Sequence, residues 1–250
     1  MDHLPVNLAY RAYQLIWEIL DWLYPPNCGG CGQPGTRWCK ECSQKTTEIE
    51  PPVCPICGDI NNSIKEPCQR CQVTTPLYIS LRSHTVYNGP IQEGIQRLKY
   101  RRDIGLGEAL ARPMIASLQK LNWPLDIITS VPLGLVRFEE RGYNQATLLA
   151  RPIALSLKVP FYTRALTRTR ETRTQVGLTV TERQENMADA FRANSKLVYG
   201  KNILVVDDVA TTGATLNACA KALLVGRASK VYGFSLARAV HTPNREIEIS

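Results

Sequence analysis

Residues 203–215 read Ile-Leu-Val-Val-Asp-Asp-Val-Ala-Thr-Thr-Gly-Ala-Thr, a string whose residue types and order suit one kind of chemistry. An unbroken apolar run of the buried parallel-strand kind delivers two adjacent carboxylates, Asp207 and Asp208, to a sheet edge. A turn of small and hydroxyl residues follows and opens a helix. Thr211, Thr212, Gly213, Ala214 and Thr215 can wrap backbone N–H groups around a phosphate, with threonine hydroxyls as extra donors and the positive end of the helix behind them. Gly213 lets the backbone come close where a Cβ would obstruct. The carboxylates cannot bind that phosphate themselves; they suit sugar hydroxyls or the hydration shell of a metal. A receiver-like magnesium pocket, or a solvated turn capped by a threonine, accounts for an acid pair alone but not for the whole string.

Three further segments hold positive groups that could meet such a ligand. Val131-Pro132-Leu133 closes the first core strand, and Arg137-Phe138-Glu139-Glu140-Arg141-Gly142-Tyr143-Asn144-Gln145 follows it. Arginine suits this place because its planar fork binds phosphate oxygens in pairs. On their own, Arg137 and Arg141 would read as exposed charges at the start of a helix; beside a phosphate loop they are expected to meet the ligand. Lys99-Tyr100, followed by Arg101 and Arg102, either faces the ligand or closes a helix, and the sequence leaves both open. The arginine-rich residues 164–186 hold almost no large apolar side chain and are expected to stay unburied, a solvated ribbon being the plain reading of such a charge run.

The other chemistry belongs to sulfur. Eight of the nine cysteines form four CxxC pairs, Cys28/Cys31, Cys39/Cys42, Cys54/Cys57 and Cys68/Cys71, with 7, 11 and 10 residues between successive pairs. Each knuckle can place two thiolates on a tetrahedral Zn²⁺, and two knuckles close a structural site. Four knuckles therefore imply two zincs. Sequential pairing, 28/31/39/42 with 54/57/68/71, is favoured, while cross-braced pairing stays open. A redox role would need one CxxC beside a βαβ unit. A segment this short and poor in large apolar residues could not hold a core without metal. Cys219, on an Ala/Leu-rich segment, reads as a small buried hydrophobe.

The elements that must position these groups are legible in outline. Residues 7–23 have helical periodicity, with a polar strip at Arg11, Gln14, Glu18 and Asp21, and Pro25-Pro26 stops them. That strip is more acidic than basic, so packing against the rest of the protein is expected rather than a membrane surface. Residues 27–75 are the cysteine-rich module. From 76 on, strands at 81–87, 126–131, 202–208 and 230–238 alternate with helices at about 89–102, 104–120, 145–158 and to about 225, with a loop at 132–144. Such alternation implies an α/β parallel sheet with ligands at the strand C-termini. Three domains are thus expected: 1–26, 27–75 and 76–250. No run of about 18 uncharged apolar residues exists, so no membrane span is expected. The N-terminus carries Arg11, Glu18 and Asp21 and lacks a secretory pattern, so a cytoplasmic location is expected. Residues 1–75 carry 6 Lys+Arg and 8 Asp+Glu, a net of −2; the remainder carries 24 and 14, a net of +10. Zinc-bound thiolates would make the first part more acidic still, so a polyanion is expected to prefer the second.

Residues 203–215 resemble the signature by which type I phosphoribosyltransferases bind phosphoribosyl pyrophosphate (PRPP). The order of apolar helix, double zinc ribbon, Leu98-Lys99-Tyr100 and phosphoribosyltransferase-like domain resembles the ComF family of bacterial natural-competence proteins over almost the entire chain. The 137–145 stretch is similar to that family's R…RGFNQ. Arg170, Thr174, Gln175, Gly177, Leu178, Arg183 and Asn186 are similar to its hood pattern, with a shorter Thr–Gln spacing. The resemblance implies that Asp207 and Asp208 contact the ribose hydroxyls, that 211–215 take the 5′-phosphate, and that Mg²⁺ accompanies PRPP. It further implies a role in DNA uptake, with single-stranded DNA and other competence proteins as partners. A nucleobase-salvage transferase and a PRPP sensor without turnover are the alternatives; no base-specificity loop favours the first, and no stacking-aromatic motif independently marks nucleic-acid binding.

Overall fold

The computed structural model describes residues 8–61, 63–169 and 190–239. Helix α1 (Leu8–Leu23) precedes two thiol-bearing turns that end in the short helices α2 (Lys40–Gln44) and α3 (Gln69–Val73). The chain then alternates through β1 (Ser80–Val86), α4 (Gly89–Tyr100), α5 (Leu106–Gln119), β2 (Ile127–Ser130), α6 (Leu135–Arg141) and α7 (Gln145–Leu157). The last part comprises β3 (Leu166–Arg168), β4 (Phe191–Ala193), α8 (Ser195–Val198), β5 (Asn202–Ala210), α9 (Ala214–Val225) and β6 (Lys230–Arg238).

Four strands form one parallel sheet in the order β1-β6-β5-β2, while β3 and β4 make a separate antiparallel pair. Because successive strand residues face opposite sides, the apolar run of β5 serves two cores at once. Ile203 and Val205, with Leu81 and Val231, pack under Leu216, Cys219 and Leu223 of α9. Leu204 and Val206, with Tyr232 and Phe234, pack under Leu98, Leu110, Met114, Leu149 and Ile153 from α4, α5 and α7. Gly107 permits α5 and α7 to meet closely: a Cβ there would stand 2.7 Å from the side chain of Leu148 and 3.3 Å from its backbone.

The module of residues 27–75 does not hang off this sheet. Its second half covers the outer edge of β1, where Leu81 N–H bonds the Ile56 carbonyl at 2.7 Å, Ile49 N–H bonds the His84 carbonyl, and Val86 N–H bonds the Thr47 carbonyl. An open strand edge would otherwise invite pairing with another chain. Cys54, Cys57 and Cys71 belong to the α9-side core itself. The first half leans on the opposite core: Arg97 donates to the Cys28 carbonyl at 2.8 Å, and Trp38 covers Gly94.

Three expectations are corrected. The segment 132–144 is not all loop: α6 spans Leu135–Arg141, buries none of its residues, and stops where Gly142 turns left-handed at φ +80. A single short exposed helix leaves no apolar stripe to read. Within 164–186, Ala165 and Leu166 are fully buried, because β3 pairs with β4 against α9; residues 170–186, including Arg170, Thr174, Gln175, Gly177, Leu178, Arg183 and Asn186, lie outside the described residues. Helix α1 does pack on the protein, but through Tyr10, Tyr13, Gln14, Trp17 and Asp21, with its aliphatic residues turned outward. The reason is polar: Arg37 pairs with Asp21 and lies over the Trp17 ring.

Gly107→Val is expected to overpack the α5–α7 interface and lower stability by roughly 1–3 kcal/mol, read as a lower midpoint with unchanged slope in urea unfolding.

Candidate functional site

Strand β5 runs two residues past the acid pair, so Asp207 and Asp208 sit inside the sheet rather than at its tip, 9% and 4% exposed. The extension corrects the expected end at 208. Each acid has one oxygen tied to the next backbone N–H, Asp207 Oδ1 to Asp208 at 2.8 Å and Asp208 Oδ1 to Val209 at 2.9 Å. Burial, then the neighbouring Asp208, pushes the Asp207 carboxyl well above the usual range. Asp208 has a counter-ion. Lys99 Nζ, near the end of α4, lies 2.6 Å from Asp208 Oδ2 as an ion pair. Burial alone would lower the Lys99 pKa, but Asp208 outweighs it and the net shift is upward. Lys99, in the last turn of α4, thus faces the acid pair.

Thr211 and Thr212 are exposed in the turn after β5, and Gly213, left-handed at φ +80, opens α9 with Ala214 and Thr215 half-buried behind it. Ala214 N–H bonds the Thr212 hydroxyl at 3.3 Å, which starts the helix. The Tyr78 hydroxyl stands 2.8 Å from where a Cβ on Gly213 would lie, so the turn is backed by a buried aromatic and faces solvent with its threonines.

On the neighbouring strand, Val131 N–H bonds the Val206 carbonyl, which sets Val131-Pro132-Leu133 beside the acid pair's strand. Asn144 fixes that loop through its side-chain amide on the Val131 carbonyl, 2.8 Å, while capping α7 at Ala146. Arg141 donates to Gln145 at 2.9 Å and stacks on Tyr100 at 5.0 Å, the residue after Lys99. Arg137, one turn earlier on α6, is exposed. Tyr78 was not legible as a site residue; Tyr100 and Asn144 lay within segments read beside the ligand, without a role of their own, and Asn144 carried a further signal as an N-cap residue just before a helical segment.

The eight thiols gather as two sets, Cys28/31/39/42 and Cys54/57/68/71, each with ligand atoms within 4.8 Å of one another. Sequential pairing is therefore correct. Cys28–Cys42, Cys31–Cys39 and Cys57–Cys68 sulfurs are 3.6, 3.7 and 3.6 Å apart. A tetrahedron with Zn–S bonds of about 2.3 Å needs edges of about 3.8 Å, so both sets fit zinc. Backbone N–H groups aim at the sulfurs, from Cys39 to Cys28 and from Cys68 to Cys54, each at 3.3 Å. Burial would push Cys28 and Cys54 up, but these N–H groups outweigh it and bring them down to about 6 and about 7. Cys42 and Cys71 are pushed up by burial and by the neighbouring thiols. Cys219 is fully buried under β5, as expected.

Parallel sheet, phosphate-loop geometry and paired four-thiol sites define a phosphoribosyltransferase-type α/β protein carrying two zinc ribbons. The model of the double zinc ribbon domain matches residues 19–72, and that of the phosphoribosyl transferase domain matches residues 143–242. The chain is 34% identical over 226 residues to the DNA utilization protein YhgH of Escherichia coli K12, covering 86% of this chain and 98% of that protein. It is 30% identical to competence protein F of Haemophilus influenzae (80% and 90% covered) and 31% identical to competence protein ComFC of Bacillus subtilis (83% and 86% covered). The chain belongs to the ComF family. Among the described residues no helix is long and apolar enough to cross a membrane.

Metal analysis should return two zincs per chain, and Cys57→Ser should reduce this to one. Protons compete with zinc for the thiolates, so chelator competition is expected to show zinc affinity falling as pH is lowered from 8 through 6.

Proposed function

We propose that this protein binds PRPP together with Mg²⁺ at the C-terminal edge of its sheet, and that it acts in the cytoplasm in the handling of DNA taken up during natural transformation. The observation that carries the ligand is the β5–α9 junction, where two buried acids precede a left-handed glycine and a solvent-facing threonine turn. Thr211–Thr215 would take the 5′-phosphate, Asp207 and Asp208 the ribose hydroxyls, and Val131-Pro132-Leu133 with Arg137 and Arg141 the pyrophosphate. Lys99 would yield Asp208 to the ribose or to the hydrated metal, and then hold its charge against the pyrophosphate. Mg²⁺, when bound, supplies charge neutralisation for the pyrophosphate.

A transfer at this site would break the C1–O bond to pyrophosphate and pass the ribose to an acceptor, with no protein nucleophile needed. The arginines and Lys99 stabilise the leaving charge. The Escherichia coli, Haemophilus and Bacillus relatives are named for DNA utilization and competence, which supports the cellular role.

A surface for single-stranded DNA is offered where α4 and α6 meet. Tyr100 (68% exposed) and Phe138 (47% exposed) alternate there with Arg101, Arg102, Arg137 and Arg141. Aromatic faces among arginines suit single strands, because every base can stack and every phosphate needs a cation.

Asp207→Asn with Asp208→Asn is expected to abolish Mg-PRPP binding in calorimetry while leaving zinc content unchanged; retained affinity would remove the ligand assignment. Arg102→Ala with Arg137→Ala should weaken single-strand binding and flatten its dependence on log salt by roughly 1.4, at about 0.7 for each phosphate no longer neutralised. An unchanged slope in salt-titrated shift assays would place the DNA elsewhere.

A further inference from the structure

Arg238, the last residue of β6, is a fully buried cation that the site described above does not use. Strand register sets it beside Ala210, the final residue of β5, and the next residue's N–H bonds the Ala210 carbonyl at 3.0 Å. The guanidinium therefore originates one residue from the start of the 211–215 turn. Its Nε donates to Asp59 Oδ1 at 3.3 Å, while Nη1 and Nη2 are buried with no hydrogen-bond partner. Buried guanidinium N–H groups without acceptors are costly and call for a reason.

Asp59 comes from the second zinc ribbon, two residues after Cys57. Its other oxygen pairs with Arg70 at 3.5 Å, and the same Arg70 nitrogen reaches Cys57 Sγ at 3.6 Å. A continuous polar chain thus runs from the metal-binding sulfurs through Arg70 and Asp59 to Arg238. Tyr78 fills the space alongside: its ring is within electrostatic reach of Arg238 and of Cys57 and Cys71, and its hydroxyl backs Gly213. Asp59 divides one negative charge between two guanidiniums, so Arg238 is left incompletely neutralised behind a turn shaped for an anion.

We propose that Arg238 is a positioning residue for the anion site of the 211–215 turn, and that the second zinc ribbon holds it there through Asp59, so that zinc retention and anion binding are linked. The inference rests on the reading of that turn as the PRPP phosphate site. Asp59 fixes the Nε edge of the guanidinium, and the anion supplies the counter-charge that Asp59 alone does not. Loss of the second ribbon would release the arginine and weaken the ligand, and by reciprocity the ligand would tighten zinc in that ribbon by the same factor.

The test uses the full zinc-loaded chain, Mg-PRPP as probe, and the variants Asp59→Asn, Asp59→Glu, Arg238→Met and Asp207→Asn/Asp208→Asn. Calorimetry is expected to show PRPP binding weakened about fivefold or more by Asp59→Asn, further by Arg238→Met, and largely recovered in Asp59→Glu. Equilibrium chelator competition should show PRPP tightening one of the two zincs in the wild type and doing so no longer in Asp59→Asn. Should Arg238→Met fail to fold, Asp59→Asn decides, because Asp59 is 35% exposed and the amide keeps an oxygen that can accept from the Arg238 Nε. Were Arg238 only an attachment for the ribbon, Asp59→Asn would loosen zinc equally with and without PRPP and leave PRPP affinity unchanged; that result overturns the proposal while the phosphate-site reading stands. If the wild type binds no PRPP, or Asp207→Asn/Asp208→Asn binds it unchanged, the site reading itself falls and takes the linkage with it.

Discussion

Two carboxylates side by side within a buried parallel strand must be compensated, and the parts around β5 are arranged accordingly. Taking such charges out of water costs several kcal/mol per ion before any partner is counted. One oxygen of each acid is met by a backbone N–H. Lys99 meets Asp208 from the last turn of α4, a helix anchored in the core by Ile95 and Leu98. Asp207 remains the acid that burial pushes toward its neutral form. This tightly packed polar cluster, with one acid paired to Lys99 and the other pushed toward its neutral form, is the physical basis of the proposed ligand site.

The zinc ribbons solve a different problem at the opposite edge. Strand β1 would present an open ladder of N–H and C=O groups, and the stretch from Thr47 to Ile56 closes it. That cover has little apolar substance of its own, so the thiolate sites supply its folding energy. Having been placed on the edge, the second ribbon also reaches under the start of α9, where Cys54, Cys57 and Cys71 join the core beneath Leu216 and Leu223. The second thiol cluster and the 211–215 turn consequently share a buried neighbour in Tyr78, although they are far apart in sequence.

Helix α1 shows how polar contacts can override apolar patterning. Its aliphatic residues would bury more surface facing inward, but Arg37 holds Asp21 and Trp17 against the body and Leu15, Ile16 and Ile19 are left outside. The same override hides Arg238: an arginine closing an apolar strand reads as an exposed terminus, and only the approach of Asp59 shows it to be interior.

The amino-acid sequence by itself determined the four main strands and most of the helices between them, the four thiol knuckles, and the identity of the acid pair and threonine turn. These are local matters: residue period, knuckle spacing and turn chemistry act over a few positions of chain. The tertiary structure alone decided which knuckles gather their thiols, that Lys99 faces Asp208, that Arg141 stacks on Tyr100, that α6 is a helix, and that the second ribbon shares a core with α9. Most of these depend on groups separated by tens of residues whose meeting is fixed by sheet order and core packing, and no local pattern encodes the partner across such a gap.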